Sequence, residues 1–195
     1  VYKRQLKKYF NGKSWLDFPD DIKYRKKKSV DYYENLLKDE IEYNVFVQCL
    51  FYKQYFELKN YANDLGIKIF GDLPIYVSKE SSDMWQNPDM FVVNEDLSPK
   101  LVAGVPPDRF SETGQYWGNP VYDWDYCEKI GFDWWLKRLK HNLKMYDVLR
   151  LDHFRGFEAF WAIDASENTA ENGHWIKAKG EEFCLLYTSD AADDS

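Results

Sequence analysis

The sequence predicts an α/β fold in which parallel strands are joined by helices. Three observations carry that reading. Two compact apolar runs, "IKIFGDLPIYV" at 67–77 and "DVLRLDHF" at 147–154, have the length and composition of strands. Each follows a helical pattern of apolar and charged residues, and strands separated by helices pair in parallel through crossovers. Each run also carries an acidic residue near the C-terminal end of the strand it predicts, Asp72 or Asp152, with irregular chain beyond. In a (β/α)8 barrel the chemistry sits at the C-terminal ends of the strands, and the pattern fits that arrangement. An open α/β sheet is the alternative. No GxGxxG or Walker-type loop supports a nucleotide-binding version.

Taken in order, residues 6–30 mix aromatics, proline and charges ("KSWLDFPDDIKYR") and read as irregular or short helical chain. Residues 31–65 are the longest helical pattern. Leu36, Leu37, Ile41, Val45, Phe46, Leu50 and Phe51 recur on it at helical spacing, and Gly66 follows where a C-cap prefers glycine. The run 67–77 reads as a buried strand leaving into a loop, with Asp72 near its end. Residues 78–127 are dense in turn formers and aromatics, and read as a long functional loop. Residues 128–146 return to a helix, with Ile130, Trp134, Leu136, Leu139 and Leu143 on one side, before the second strand.

Composition narrows the function. Of 195 residues, 45% are hydrophobic and 30% charged, as in ordinary globular proteins. Aromatics reach 18%, which fits a well-filled core and also a surface that stacks on sugar rings. The net charge of −7 argues against a nucleic-acid partner. There is no long apolar run, so no membrane segment is expected. Cys49, Cys127 and Cys184 form no CxxC and have no His at metal spacing, so neither a metal nor a disulfide is expected, and a cytoplasmic location fits.

Both ends look foreign. "VYKRQ" at 1–5 and "CLLYTSDAADDS" at 184–195 resemble translations, in opposite orientations, of a transposon-end adapter used for sequencing libraries. The expectation is that these segments are not native and that residues 6–183 are an internal piece of a longer protein.

The chemistry concentrates in "RLDHFRGF". In a strand, Arg150 projects to the same face as Asp152, where a guanidinium would hold the carboxylate ionised and oriented, as a covalent nucleophile requires. His153 would donate a hydrogen bond to a neutral ligand. A structural ion pair explains Arg150 and Asp152 equally well. The loop adds Asp108, Phe110, Glu112, Gln115, Tyr116, Trp117 and Asn119, aromatics among hydrogen-bonding groups, a combination that binds polyhydroxylated rings. A loop packed on its own aromatics is the alternative there.

"GDLPIYV", "VAGVPPDRFSETGQYWGNPVYDWD" and "RLDHFRGFEAFW" closely resemble blocks of the 4-α-glucanotransferases (amylomaltase or disproportionating enzyme, glycoside hydrolase family 77). The likeness runs through nearly all of 31–183. It implies an α-amylase-type (β/α)8 barrel, incomplete here, with strands three and four around 67–73 and 147–153 and a long inserted loop region between them. It implies Asp152 as nucleophile, Arg150 as the arginine that orients it, His153 as a substrate-contacting histidine and Asp108, Phe110 and Trp117 as sugar contacts, and it matches Asp72 to the aspartate of the third-strand block. With Glu112, Gln115 and Asn119 from the reading of the loop, His153, Asp72, Asp108, Phe110 and Trp117 are the expected substrate-binding residues. Arg109 stands where some relatives have Tyr. The implied substrates are α-1,4-glucans, with no cofactor; no oligomeric state follows from the residues. The implied reaction is retaining double displacement, in which two carboxyls lie about 5–5.5 Å apart. The family's general acid and third carboxylate fall after residue 183, and Glu158 matches a position just after the nucleophile, so the chain alone is expected to be inactive. The rivals are a hydrolase or branching enzyme of the wider α-amylase group and a non-catalytic glucan-binding module.

Overall fold

A computed structural model of the chain describes residues 2–193. It divides into two compact units, with the boundary between Ile69 and Phe70.

The first unit is helical: α1 (Tyr2–Tyr9), α2 (Asp20–Lys23), α3 (Lys27–Leu36) and α4 (Lys38–Asp64). Leu6, Trp15, Phe18 and Ile22 are its buried centre. The Ser14 hydroxyl accepts from the Leu16 amide and caps a 3-10 turn at Trp15–Asp17. The helix expected over 31–65 is present but starts earlier and is interrupted at Leu37, which turns inward. Its end is as expected. Gly66 takes φ +75°, and the Gly66 and Ile67 amides donate to the Asn63 and Ala62 carbonyls. No residue of α4 is fully buried, and Val45, Phe46, Leu50 and Phe51 are exposed. α1 and α3 pack against α4, but at 8 and 10 residues they are too short to cover 27.

The second unit holds β1 (Phe70–Pro74), α5 (Ser82–Gln86), β2 (Leu101–Val105), β3 (Gln115–Pro120), α6 (Trp124–Lys129), α7 (Asp133–Met145), β4 (Val148–Asp152), β5 (Ala159–Asp164), β6 (His174–Lys177) and α8 (Gly180–Asp193). β1 and β4 pair in parallel, as expected, with Asp72 opposite Arg150 and Pro74 opposite Asp152. β1 begins at Phe70 because Gly66 and Ile67 complete the helix cap. It is not buried on both sides. Gly71 and Leu73 point inward, while Phe70, Asp72 and Pro74 share an exposed face with Val148, Arg150 and Asp152. The alternation shows that among the described residues only one face of this pair is covered.

The stretch 78–127 departs further from expectation. It supplies β2 and β3, which join β5 and β6 in a second sheet, antiparallel, in the order β3-β2-β5-β6. The turn formers at 106–114 connect β2 to β3. The helix expected at 128–146 breaks at Gly131 and Phe132, both with positive φ. That break shifts the buried face to Trp135, Leu139 and Met145, of which only Leu139 was anticipated.

Most of the aromatic content fills the second unit's core. Trp124 stacks on Trp135 with centroids 6.0 Å apart, Phe157 stacks on Phe183 at 5.7 Å, and Tyr122 and Phe160 are almost wholly enclosed. α1 and α8 run through the boundaries at 5/6 and 183/184; a helix is a property of the residues present, whatever their origin. Among the described residues no helix is long and apolar enough to cross a membrane.

Gly71 marks the tightest approach beneath the strand pair. A Cβ there would overlap the Tyr146 ring. Gly71→Ala is therefore expected to lower stability by about 1–3 kcal/mol. Tyr146→Ala in the same chain should recover part of that loss. Chemical unfolding of the four members of the cycle measures the coupling, and strictly additive effects would contradict the contact.

Candidate active site

The parallel register of β1 and β4 places three charges side by side. Asp72 and Arg150 are directly opposed, and Asp152 lies two residues beyond Arg150 on the same face. The Arg150 guanidinium forks onto Asp72, with Nε to Oδ1 at 2.9 Å and Nη2 to Oδ2 at 2.6 Å. The same Nη2 stands 3.2 Å from Asp152 Oδ1. Arg150 thus reaches the residue expected from the sequence, but its bidentate partner is the aspartate of the neighbouring strand. That hydrogen-bonded pair holds the Asp72 carboxyl below the usual carboxylate range and raises the Arg150 guanidinium further. All three side chains are about half exposed, so this is an oriented ion triad at a cleft mouth and not a buried one.

Beyond Asp152 the backbone turns sharply. His153 takes φ 51°, ψ 48°, a left-handed conformation that costs roughly 1–2 kcal/mol in a non-glycine residue. The turn sets its ring edge-on to Trp117, centroids 4.9 Å apart, and 6.3 Å from the Tyr76 ring. Burial pushes the imidazole pKa down; nearby Asp152 opposes that shift and Arg155 adds to it. Tyr76 is buried and stacks on Tyr122, and burial keeps its hydroxyl protonated.

Tyr76 is delivered by the segment 74–77, whose carbonyls are held from three sides. Arg138 donates from Nη2 to the Pro74 oxygen at 2.8 Å and from Nη1 to the Ile75 oxygen at 3.2 Å. The buried Tyr122 hydroxyl donates to the Ile75 oxygen at 2.8 Å. The Asn119 amide donates to the Val77 oxygen at 2.9 Å. The result is an open cleft of about 200 Å³ lined by Pro74, Ile75, Tyr76, Trp117, Asn119, Asp152 and His153.

Four of the residues singled out from the sequence, Asp152, His153, Trp117 and Asn119, therefore meet in one cleft. Asp72 and Arg150 stand behind Asp152. Gln115 accepts the Trp117 indole N–H at 3.1 Å and so steadies that ring. Asp108, Phe110 and Glu112 do not line the cleft. Asp108 accepts the Phe110 and Ser111 amides and closes the turn between β2 and β3. Phe110 is 81% exposed, with the Arg109 guanidinium 4.5 Å from its ring centre. Tyr76, Tyr122 and Arg138 were missed. Tyr76 lies within the quoted "GDLPIYV", but Arg138 sits mid-helix, and nothing local marks either as a neighbour of the cleft. Among the described residues no three His, Cys, Asp or Glu are grouped to hold a metal ion.

The arrangement offers a carboxylate in an aromatic-walled cleft. A family model described as 4-alpha-glucanotransferase matches residues 2–194. The chain is 54% identical over 173 residues to a 4-alpha-glucanotransferase of Clostridium butyricum, covering 88% of this chain and 36% of that protein. It is 52% identical over 170 residues to one of Aquifex aeolicus, covering 87% and 35%. A solved structure, amylomaltase from Streptococcus agalactiae in complex with acarbose, superposes with a TM-score of 0.93 at 43% identity, over 97% of this chain and 38% of that one. The chain spans about a third of the length of the curated relatives it matches. It belongs to the 4-alpha-glucanotransferase family, and its mixed α/β fold is that of the corresponding part of an amylomaltase.

Proposed function

We propose that this chain carries the nucleophile side of a retaining 4-α-glucanotransferase acting on α-1,4-glucans in the cytoplasm, with β1 and β4 as the third and fourth strands of a (β/α)8 barrel. The observation that supports it most is Asp152 at the end of β4, in contact with Arg150 and facing a cleft walled by Trp117, Tyr76 and His153. In this reading Asp152 attacks the anomeric carbon as the bond to the leaving glucan breaks, and the leaving oxygen takes a proton from a carboxylic acid. The 4-hydroxyl of a second glucan then displaces Asp152 and returns its proton to that acid. His153, neutral because burial depresses its pKa, hydrogen-bonds the sugar, and Trp117 stacks on it. Phe110, Asp108 and Glu112, on the β2–β3 turn, contact further sugar units. Related proteins carry this activity in their names, and one of them holds acarbose.

Asp152 is the one carboxylate among the residues lining the cleft. Asp72 is unsuitable as the acid, since Arg150 keeps it deprotonated. The acid therefore comes from outside this set, and the 195-residue chain by itself is expected not to disproportionate maltotriose.

In a protein of full family length carrying this segment, maltotriose should yield glucose plus longer maltodextrins, and Asp152→Asn should lower kcat by at least ~10³-fold. Shorter sugars alone would favour the hydrolase reading. Glucan affinity without any turnover would favour a binding module.

The ion pair predicts a pH response. A carboxyl whose folded pKa lies below its unfolded value contributes stability above the unfolded value of about 3.9, and loses it as pH falls through the folded one. The Asp72 carboxyl carbon resonance should therefore titrate below that ordinary value, and Arg150→Gln should bring it back up. A normal midpoint in the unsubstituted protein would contradict the clamp. We also propose that residues 1–5 and 184–195 are adapter-derived. The uninterrupted genomic reading frame should then diverge from this sequence at 5/6 and 183/184, and agreement beyond either point would refute it.

A further inference from the structure

We propose that Arg138, which does not line the cleft, is a positioning residue for it: by holding the Pro74 and Ile75 carbonyls it fixes Tyr76 against His153 and anchors the strand end that pairs with Asp152. The proposal rests on the transferase reading for its kinetic consequence, and on geometry alone for its structural one.

Pro74 is the last residue of β1 and lies opposite Asp152, so its position sets the rim of the cleft beside the carboxylate. A strand-end carbonyl needs a donor from elsewhere. Arg138 supplies one to Pro74 and another to Ile75, from two nitrogens of one rigid fork. The guanidinium is itself fixed, with its centre 5.1 Å from the Trp134 ring centroid and 5.2 Å from that of Trp135. Tyr122 adds a second donor to Ile75 from within the core. The backbone entering Tyr76 is thus clamped from α7, the crossover helix that leads into β4. One rigid helix therefore holds the end of one strand and feeds the other. A lysine would keep the charge but reach one carbonyl at a time. Besides the rings of Tyr76 and Trp117, the charged groups acting on His153 are Asp152 and Arg155, and Arg138 is not among them.

The test uses the full-length protein with Arg138→Leu, Arg138→Lys and Tyr122→Phe, reading kcat, KM, melting temperature and the His153 titration by NMR. The expected result for Arg138→Leu is a kcat reduced by about 10- to 100-fold with KM changed less than about 3-fold, since misplacement by about 1 Å costs that order in rate. The His153 midpoint should move up toward about 6.5 as Tyr76 withdraws. Arg138→Lys should recover part of both effects, and Tyr122→Phe should show a smaller change in the same direction. A folded Arg138→Leu protein with unchanged kcat and unchanged His153 midpoint overturns the proposal. So does loss of fold in all three variants, which would leave Arg138 a purely structural role. If the unsubstituted protein transfers no glucan while the His153 midpoint still follows Arg138, the transferase reading fails and the positioning role stands.

Discussion

The site depends on one cross-strand contact, the bidentate ion pair between Asp72 and Arg150. It exists only because β1 and β4 pair in parallel with those two residues opposite each other. Its worth does not lie in stability. Both partners are half exposed, and exposed ion pairs contribute little to folding. Its worth lies in orientation. A planar guanidinium locked on Asp72 also sets its Nη2 against Asp152, so the carboxylate at the strand end sees a fixed positive charge on one side and an open cleft on the other. A one-residue slip in the strand pairing would send Arg150 and Asp152 to the opposite face and abolish the arrangement.

The second constraint is the segment 74–77. A chain leaving a strand end would normally be free to move. Here three side chains hold its carbonyls, and that turns Tyr76 into a wall of the cleft. His153 meets this wall because its own backbone is forced into a left-handed turn. Strain at His153 and hydrogen bonds at 74–77 are two halves of one device, because the ring contacts between His153, Tyr76 and Trp117 need both. Uncovered apolar surface marks other regions. α4 has no buried residue, and Leu149, Leu151 and Phe154 border an apolar cavity of about 240 Å³ with Leu139, Leu143, Phe183 and Cys184.

The parallel strand pair, the helix ending at Gly66 and the residues Asp152, His153 and Trp117 could be read from the sequence because their signals are local: an apolar run, a C-cap glycine, a charge cluster at a strand end. The partner of Arg150 could not. The i, i+2 rule finds Asp152, but Asp72 lies 78 positions away and becomes a neighbour only through register. The second sheet was hidden for a similar reason. β2 and β3 sit among prolines and glycines, and "QYWGNP" alternates weakly, so its strand character comes from pairing with β2. Asp108 was legible as chemistry, but its second task was not: one carboxylate oxygen accepts the Phe110 and Ser111 amides and closes the turn, a local hydrogen bond that its residue type allows without announcing. Arg138 carried no signal because an arginine within a helix usually reads as solvated surface.

On the proposed function, Asp152 is the residue to which sugar becomes covalently attached. Incubating a full-length protein carrying this segment with a fluorinated glucosyl fluoride, which forms the glycosyl-enzyme but slows its turnover, and mapping the added mass by peptide sequencing tests it most directly. The account predicts a single glycosylated peptide labelled on Asp152. Labelling of any other carboxylate, or a catalytically active protein that never acquires the label, would contradict it.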